Sequence, residues 1–584
     1  MAARIPPVWC ADLLVALDPC AAPGAVNPAE PADFPLRNDL WDAQAGTVRL
    51  AGAAGEVLAF QLVLEKRAGA LEALRLEGAA GCGLALLQQV AVPVDGRFHD
   101  DPLVPVAPAR AAEVVPEITR QAPRLKGRRR QAFTVELTIP RGAPAGAREA
   151  ALVLKAGGRD LRLKLALAVH GFELPEAPGC TADLNCYGRV PGPGSEGIVE
   201  DSESYRAVER EHFRMAREHL ALFHLLPYTH AGRIEDGYAP VLSGRGRNRH
   251  VADWMPFDRH WGPYLDGSAF RGCRGGERPV EYLYLPVNLN WPAYFENFGT
   301  PGYQVEFGNV LGEMARHFAE RGWTRTKFEV FFNHKARWKY FPWDMDEIRF
   351  DRDNQATALL ARMAIEATKD VPAVKFVNRI DSSWIFDQSA RTELGDLINL
   401  WVVNRTSHSA APDEVALLRQ KGQAVWPYGG AGAVAGPVRL DCLRWPWLAW
   451  GRETDGFTWW HALGWGRWEA VGRGGDHCLY PGARFGIAGP LASLRLKVLR
   501  RGMQDHAYLS LLVAKTGSRR AADEIVGRTV GANSREDWYQ RGEGIESGGA
   551  EIQTASRTEK PWNTAGRSAW AAARAEVARA IEKA

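Results

Sequence analysis

The sequence lacks any uninterrupted apolar stretch of about 20 residues, so no segment is expected to span a membrane. Charge of either sign is also scarce in excess. Lys and Arg number 72 against 69 Asp and Glu, a formal net charge of +3 over 584 residues. One short basic run, Arg124-Leu125-Lys126-Gly127-Arg128-Arg129-Arg130, stands alone without interleaved aromatics. It reads as a solvated loop, and nucleic acid is not expected as a partner. Cysteine is sparse. The eight, at 10, 20, 82, 180, 186, 273, 442 and 478, show neither metal-ligand spacing nor a dense disulfide pattern. They are expected to be mostly reduced and buried, with Cys180 and Cys186 the nearest approach to a pair. His334 with its neighbouring carboxylates is the nearest approach to a metal set. No metal and no cofactor is expected. Residues 1–22 are mildly apolar, but Asp12 and Asp18 interrupt them. No charged-then-apolar signal pattern is read there. The expectation is a cytoplasmic protein, or an exported one whose signal is absent from this chain.

What is abundant is tryptophan. There are 21, and 16 fall between Trp254 and Trp468. Most are expected in the core, because large aromatics bury a great deal of area. Adjacent ones such as Trp459-Trp460 would point to opposite faces of a strand. Tryptophan at this density, with tyrosine interleaved, also suits stacking on the apolar faces of sugar rings.

The chain is too long for one ordinary core, and three parts are expected. Residues 1–175 read as an N-terminal β-sandwich. Short strands are predicted at 47–50, 57–64, 132–139 and 161–167, separated by turn residues such as Gly157-Gly158. Leu174 to Gly179 carries two prolines and a glycine and reads as a linker. Residues 181–470 then alternate strand and helix. Eight strands are predicted at 182–187, 223–228, 282–288, 328–333, 374–380, 397–403, 424–428 and 456–460. Helices are predicted at 205–222, 310–321, 355–369, 413–421 and 439–450. Eight such alternations predict a catalytic (β/α)8 barrel of the TIM type, with a doubly wound sheet as the competing arrangement. Residues 471–584 read as a C-terminal helical region. Its helices are predicted at 490–501, 503–512 and 568–584, with Ser568 as an N-cap. The glycine-rich stretch between the last two is expected to be loop.

The feature richest in chemistry is Phe341-Pro342-Trp343-Asp344-Met345-Asp346-Glu347, which places three carboxylates within four residues, beside a tryptophan. It follows the mostly apolar run Phe328-Glu329-Val330-Phe331-Phe332. Crowded carboxylates repel and resist desolvation, so a fold that places them past a strand end often uses them. Acid and base carboxylates beside aromatics suit glycoside hydrolysis. In a barrel the chemistry sits at the C-terminal strand ends. Reading those ends in turn yields a polar and aromatic rim. The first three strands supply Asn185 and Tyr187, then Tyr228 and His230, then Asn288, Asn290 and Trp291. The fourth and fifth add Asn333, His334 and Lys335, then Arg379 and Asp381. The last three add Trp401, Asn404 and Arg405, then Trp426 and Tyr428, then Trp459, Trp460 and His461. These are candidate substrate-binding residues, with Asp344 among them. Glu347 is the candidate general acid, since burial beside aromatics raises a carboxyl's proton affinity. Its partner is open among Asp346, Asp344 and Asp381. Adjacent side chains on a regular strand diverge, so Asp346 and Glu347 can serve one site only if the backbone turns between them. The competing role for Asp344 or Asp346 is a helix N-cap.

Three C-terminal stretches resemble the bacterial family known as domain of unknown function 4091. They are Gly474-Gly475-Asp476-His477-Cys478-Leu479-Tyr480-Pro481-Gly482, Gly489-Pro490-Leu491-Ala492-Ser493-Leu494-Arg495-Leu496, and Arg500-Arg501-Gly502-Met503-Gln504-Asp505-His506-Ala507-Tyr508-Leu509. That family resembles the glycoside hydrolase family 123 type of β-N-acetylgalactosaminidase. The resemblance implies a β-sandwich, a catalytic barrel and a C-terminal piece, in this order. It also implies a retaining hydrolase in which an adjacent Asp-Glu pair acts with the substrate's own 2-acetamido group. The matching pair is Asp346 and Glu347. Asp346 would orient the acetamido group, and Glu347 would protonate the leaving oxygen and then activate water. The chain departs from the family pattern at Ile348, where proline is common, and at His477, where glycine usually follows the aspartate. The expected partner is an oligosaccharide or glycoside. The alternatives are a glycosidase using a conventional carboxylate pair on a sugar lacking the acetamido group, and a non-catalytic carbohydrate-binding protein.

Overall fold

The structure is a computed structural model that describes residues 5–26, 30–94, 97–106, 127–190, 202–235, 237–336, 339–348, 351–382, 393–405, 408, 412–432, 434, 439–463, 477–530, 540–541, 553–554 and 566–584. Gly474 to Asp476, Trp465, Trp468 and most of the glycine-rich stretch after 530 lie outside these residues. So does much of the basic run.

The first ten strands among the described residues precede residue 174. They are β1 (Val8–Asp12), β2 (Trp41–Asp42), β3 (Thr47–Ala54), β4 (Val57–Glu65), β5 (Leu71–Glu77), β6 (Gly83–Val94), β7 (Arg97–Val106), β8 (Arg130–Thr138), β9 (Gly146–Ala156) and β10 (Arg159–Glu173). They form two five-stranded sheets, ordered β1-β4-β8-β6-β7 and β2-β3-β10-β9-β5. β10 shows the cause most plainly. Leu163, Leu165, Leu167 and Val169 are buried while the residues between them are exposed, the period of two that one buried face demands. Those leucines join Phe60, Leu62, Phe133 and Val135 of the other sheet in one apolar cluster. Residues 8–12, read as an interrupted apolar stretch, are a strand pairing antiparallel with β4.

Eight strands then form one parallel sheet. They are β11 (Thr181–Tyr187), β12 (Leu222–Leu226), β15 (Tyr282–Tyr284), β16 (Lys327–Val330), β17 (Lys375–Ser382), β18 (Leu400–Asn404), β19 (Ala424–Gly429) and β20 (Gly456–Trp459), with a small hairpin, β13 (Val241–Ser243) and β14 (His250–Asp253), after the second. The order β12-β11-β20-β19-β18-β17-β16-β15 makes a nearly closed barrel, with β12 and β15 at its seam. Each strand lies within four residues of its predicted limits. The intervening helices are α1 (Glu203–Glu218), α2 (Met255–Leu265), α3 (Pro301–Glu320), α4 (Asp351–Thr368), α5 (Pro412–Gln420) and α6 (Arg439–Gly451). Ser202 and Thr300 cap α1 and α3 through their hydroxyls.

Strand parity sorts side chains between the barrel interior and the helical layer. Ile380, Trp401, Val403 and Val425 pack outward against Ala358 and Ala361 of α4 and Val415 and Leu418 of α5. Phe457 stacks on Trp445 of α6. The alternate positions turn inward: Arg379 and Asp381, Leu400 and Val402, Trp426 and Tyr428, Thr458 and Trp460.

Beyond the barrel come a two-stranded ribbon, β21 (Leu479–Pro481) with β22 (Pro490–Ala492), and the helices α7 (Leu494–Thr516), α8 (Arg520–Val530) and α9 (Arg567–Lys583). Two short strands, 540–541 and 553–554, pair between the last two helices. The two helices expected over 490–512 are one, preceded by a strand. Ser493 caps α7, and the helix runs through Gly502, where a Cβ would lie 2.9 Å from Pro446. Small size, not chain flexibility, is what α6 requires at that position. Ser568 is not the cap of α9. Gly566 holds that position, and the Ser568 hydroxyl is bonded to Asp39 instead. Buried ion pairs tie α7 and α9 to the first sheets: Arg495 to Asp101 at 3.1 Å, Lys497 to Glu136 at 2.9 Å, and Arg574 to Glu56. All eight cysteines are free thiols, Cys180 and Cys186 included.

Candidate active site

The interior of the barrel is charged. Arg379 on β17 is fully buried, and its guanidinium reaches Asp381 at 2.8 Å, Glu329 of β16 at 3.2 Å and Asp183 of β11 at 3.3 Å. It also stacks over the rings of Tyr284 and Phe331, 5.0 and 5.1 Å from their centroids. Burial works against the charge of Arg379, but Asp381 and the other anions outweigh it and hold the guanidinium protonated. Burial likewise opposes the charge of Asp183, yet His224 at 3.2 Å and Arg379 keep its proton affinity low. For Glu329 burial wins and raises it. Asp183, His224, Tyr284 and Glu329 escaped the sequence reading. Glu329 had a signal, since a carboxylate inside the apolar run Phe328 to Phe332 is costly unless partnered.

Above this layer the chain leaves β16, makes an excursion and returns. The carbonyl of His334 accepts from the backbone N–H groups of Met345 at 2.8 Å and Asp346 at 3.1 Å, closing the loop. Asp344 braces it. Its carboxylate accepts from the Ala336 N–H at 2.7 Å, and its own N–H donates to Asp353 in the first turn of α4 at 3.1 Å. His334 is a knot rather than a surface ligand. Nδ1 lies 2.9 Å from the His230 carbonyl, and Nε2 lies 3.4 Å from the Leu289 N–H. That pair assigns the proton to Nδ1. Burial lowers its pKa to about 3, so the ring stays neutral.

The returning segment docks beside β17. Asp346 makes a parallel β-bridge with Asp381, and the Glu347 N–H donates to the Asp381 carbonyl at 2.9 Å. Glu347 has φ of 62°. This left-handed conformation costs a non-glycine residue about 1–2 kcal/mol. It is the turn that lets adjacent side chains converge. Lys335 Nζ donates to Glu347 Oε2 at 2.7 Å and stands 3.3 Å from Asp346 Oδ2. Tyr428 of β19 donates to Glu347 Oε1 at 2.8 Å. Asp346 is the more deeply buried of the pair: its side chain is 9% exposed against 20% for Glu347. Burial, reinforced by the charges of Glu347 and Asp381 and opposed by Lys335, pushes Asp346 up to about 7. Asp346 thus joins Glu329 among the buried carboxyls whose proton affinity is raised.

Around this pair the rim is aromatic. Trp460 is 44% exposed and donates from Nε1 to the Tyr187 hydroxyl at 3.1 Å. Tyr187 in turn neighbours the rings of His230 and His461, at 5.9 and 6.4 Å. Asn185 donates to the Tyr284 hydroxyl at 2.8 Å. Asn333 donates its backbone N–H to the Tyr228 hydroxyl at 3.0 Å. Its side-chain amide is fully buried and makes no hydrogen bond among the described residues. Asn404 ends β18 opposite Tyr428.

Other expected rim residues sit elsewhere. Trp401 and Trp459 have outward parity and are fully buried among the helices, and Trp401 donates to Gln423 at 2.8 Å. Trp426 points inward but at the barrel floor. It donates to Asp455 at 2.6 Å and occupies the space left by Gly456, where a Cβ would lie 2.3 Å from the ring. Asn288 is fully buried and accepts from the Asn290 N–H at 2.8 Å, shaping its own loop. Arg405 lies over Trp445. Arg379 and Asp381 are bound to each other below the mouth. Among the described residues, no three His, Cys, Asp or Glu side chains are grouped to hold a metal, and no helix is long and apolar enough to cross a membrane.

No family model matches this chain, and no curated protein matches it in sequence. The resemblance to the family of unknown function 4091 therefore rests on its C-terminal stretches alone. Among solved structures, the chain is similar over 99% of its length to a family 123 glycoside hydrolase from Clostridium perfringens, whose description concerns glycolipid glycan hydrolysis. The likeness covers 97% of that protein with a TM-score of 0.61 and 12% identity. At that identity the likeness is one of fold. An endo-β-1,4-mannanase from Thermotoga petrophila is similar at a TM-score of 0.30 and 11% identity, over 63% of this chain and 81% of the other. A likeness that loose bears no weight. The fold thus shared nearly end to end is the one in which Asp346 and Glu347 meet at the C-terminal mouth of an eight-stranded parallel barrel.

Proposed function

We propose that this protein is a retaining glycoside hydrolase that acts on N-acetylhexosaminides with help from the substrate's 2-acetamido group. The observation that carries the reading is the convergence of Asp346 and Glu347 on Lys335, made possible by the left-handed turn at Glu347. A conventional carboxylate pair flanks the anomeric carbon from opposite sides. Two carboxylates joined by one ammonium approach from one side, which leaves the far side to a nucleophile from the substrate. The other partners considered are engaged elsewhere. Asp344 closes its own loop, and Asp381 is held by Arg379. The likeness in fold to a family 123 hydrolase supports the same reading.

In this scheme Glu347, the more exposed carboxyl, donates a proton to the glycosidic oxygen as its bond to the anomeric carbon breaks. The acetamido carbonyl oxygen forms the new bond to that carbon. Asp346 accepts the acetamido N–H and balances the positive charge developing on that group. Glu347, now a carboxylate, takes a proton from the water that opens the cyclic intermediate, and configuration is retained. Lys335 and Tyr428 hold the two oxygens of Glu347 in place through both half-reactions. Trp460 offers an exposed ring face to the sugar.

The test is turnover of aryl 2-acetamido-2-deoxyglycosides against the same glycosides lacking the acetamido group, with wild type and Glu347→Gln. The reading expects hydrolysis of the acetamido series only, inhibition by a thiazoline mimic of the cyclised intermediate, and loss of at least about 1000-fold in kcat for the variant. Hydrolysis confined to the plain glycosides overturns the acetamido mechanism. Binding without hydrolysis across a glycan panel overturns the enzyme.

A further inference from the structure

Resting on the hydrolase reading, the structure points to a third acidic residue that acts through the pair. We propose that Asp381, clamped by Arg379, is a positioning residue that sets both the turn aiming Glu347 and the protonation of Asp346. One backbone pairing, with two consequences, places it there. Its carbonyl accepts the Glu347 N–H at 2.9 Å, holding the residue whose φ is 62°. Its backbone pairs with Asp346 in a parallel bridge, and bridge partners carry their side chains on one face, with Cβ atoms about 5 Å apart. Both carboxyls are nearly buried. Like charges in one buried site resist joint ionisation.

The clamp is built from the barrel floor. Arg379 Nε and Nη2 grip the two oxygens of Asp381 at 2.8 and 3.3 Å, a fork that fixes the plane of the carboxylate. The fork is itself braced by Asp183 and Glu329. Other groups face the pair. Lys335 and Glu347 meet Asp346 from its own loop, and Tyr187 of β11 and Tyr228 in the turn after β12 lie within the field of both aspartates. Lys335 opposes protonation of Asp346, while Glu347 and Asp381 favour it. Burial, Asp183 and Glu347 raise Asp381, against the pull of Arg379.

The decisive measurement is the titration of the aspartate carboxyls by ¹³C NMR, which needs no turnover, with Asp346 assigned by its loss in Asp346→Asn. In Asp381→Asn the Asp346 midpoint is expected to fall by about one pH unit or more. Asp381→Glu, which restores the charge, is expected to recover most of that shift. Coupling is reciprocal, so the Asp381 midpoint should fall similarly in Asp346→Asn. That second arm serves if Asp381→Asn does not fold. An Asp346 midpoint that stays put, or a fall in only one direction, overturns the proposal. With active protein, the acidic limb of the kcat/KM profile of Asp381→Asn should move to lower pH with the NMR midpoint, and kcat should drop about tenfold with KM little changed. An unmoved limb also overturns the role. NMR coupling in a protein that hydrolyses no glycoside supports the paired aspartates and defeats the hydrolase reading instead.

Discussion

The phenol of Tyr428 donates to Oε1 of Glu347 across 2.8 Å, joining the seventh strand of the barrel to a loop that leaves the fourth. The contact aims one carboxylate oxygen while Lys335 holds the other. Glu347 is thereby oriented from two sides before any ligand arrives. Tyr428→Phe removes the first restraint without changing the ring. Its kcat on an aryl 2-acetamido glycoside should fall about tenfold, or about 1.4 kcal/mol, with KM within roughly twofold of wild type. Steady-state kinetics on both proteins decides this.

Asp346 should make stability depend on pH. Its folded pKa is raised from 3.8 to about 7, so the folded state binds more protons than the unfolded one between those values. Stability from this group is full at low pH and is lost as pH rises toward 7. Asp346→Asn removes that loss. The variant should be more stable than wild type at pH 8, on the order of 2–4 kcal/mol, and gain little at pH 4. Urea unfolding at the two pH values measures the difference, and an equal gain at both would show that burial of Asp346 is not the cause.

The turn at Glu347 stores strain, and two truncations isolate it. Glu347→Ala and Glu347→Gly lose the same contacts, but only glycine relaxes a φ of 62°. The glycine variant should be the more stable by about 1 kcal/mol, and both should be inactive. Thermal unfolding of the two proteins side by side checks this.

Trp459 and Trp460 are neighbours in sequence and opposites in role. Trp460 is 44% exposed at the mouth, and Trp459 is 0% exposed beneath the helices. Trp460→Ala should raise KM several-fold and change stability by less than about 1 kcal/mol. Trp459→Ala should cost about 3–5 kcal/mol and leave KM near wild type in the folded fraction. Denaturant melts paired with kinetics separate the two effects.

Arg495 and Asp101 join α7 to the first sheet, 3.1 Å apart and buried. Arg495→Ala leaves Asp101 without its charge partner, and a loss of about 3–5 kcal/mol is expected. Pairing it with Asp101→Asn should recover a large part of that loss. A double variant no better than the single would show that the pair is not coupled.

Much of this architecture was legible in the residues themselves. Runs such as Phe223 to Tyr228, apolar but for His224, announce strands buried on both sides, and helical spacing between them announces the outer layer. The crowding of Asp344, Asp346 and Glu347 marked the site for the same local reason, since their cost is visible without a fold. Residues whose role depends on strand parity were harder. Trp401, Trp426 and Trp459 stand at or near strand ends as Tyr428 and Trp460 do, yet a shift of one position, or of one layer in height, puts them in the helical layer or the barrel floor. Only tertiary structure brought Arg379 to Asp183, 196 positions away, and Tyr428 to Glu347, 81 positions away. Only the return of the loop beside β17 gave Asp346 its neighbour in Asp381. The sequence by itself determined the alternation of strand and helix and the place of the carboxylates, because these follow from local hydrophobic period and charge. Which of those carboxylates holds its proton was decided by the tertiary structure, because proton affinity depends on burial and on charges that only folding brings near.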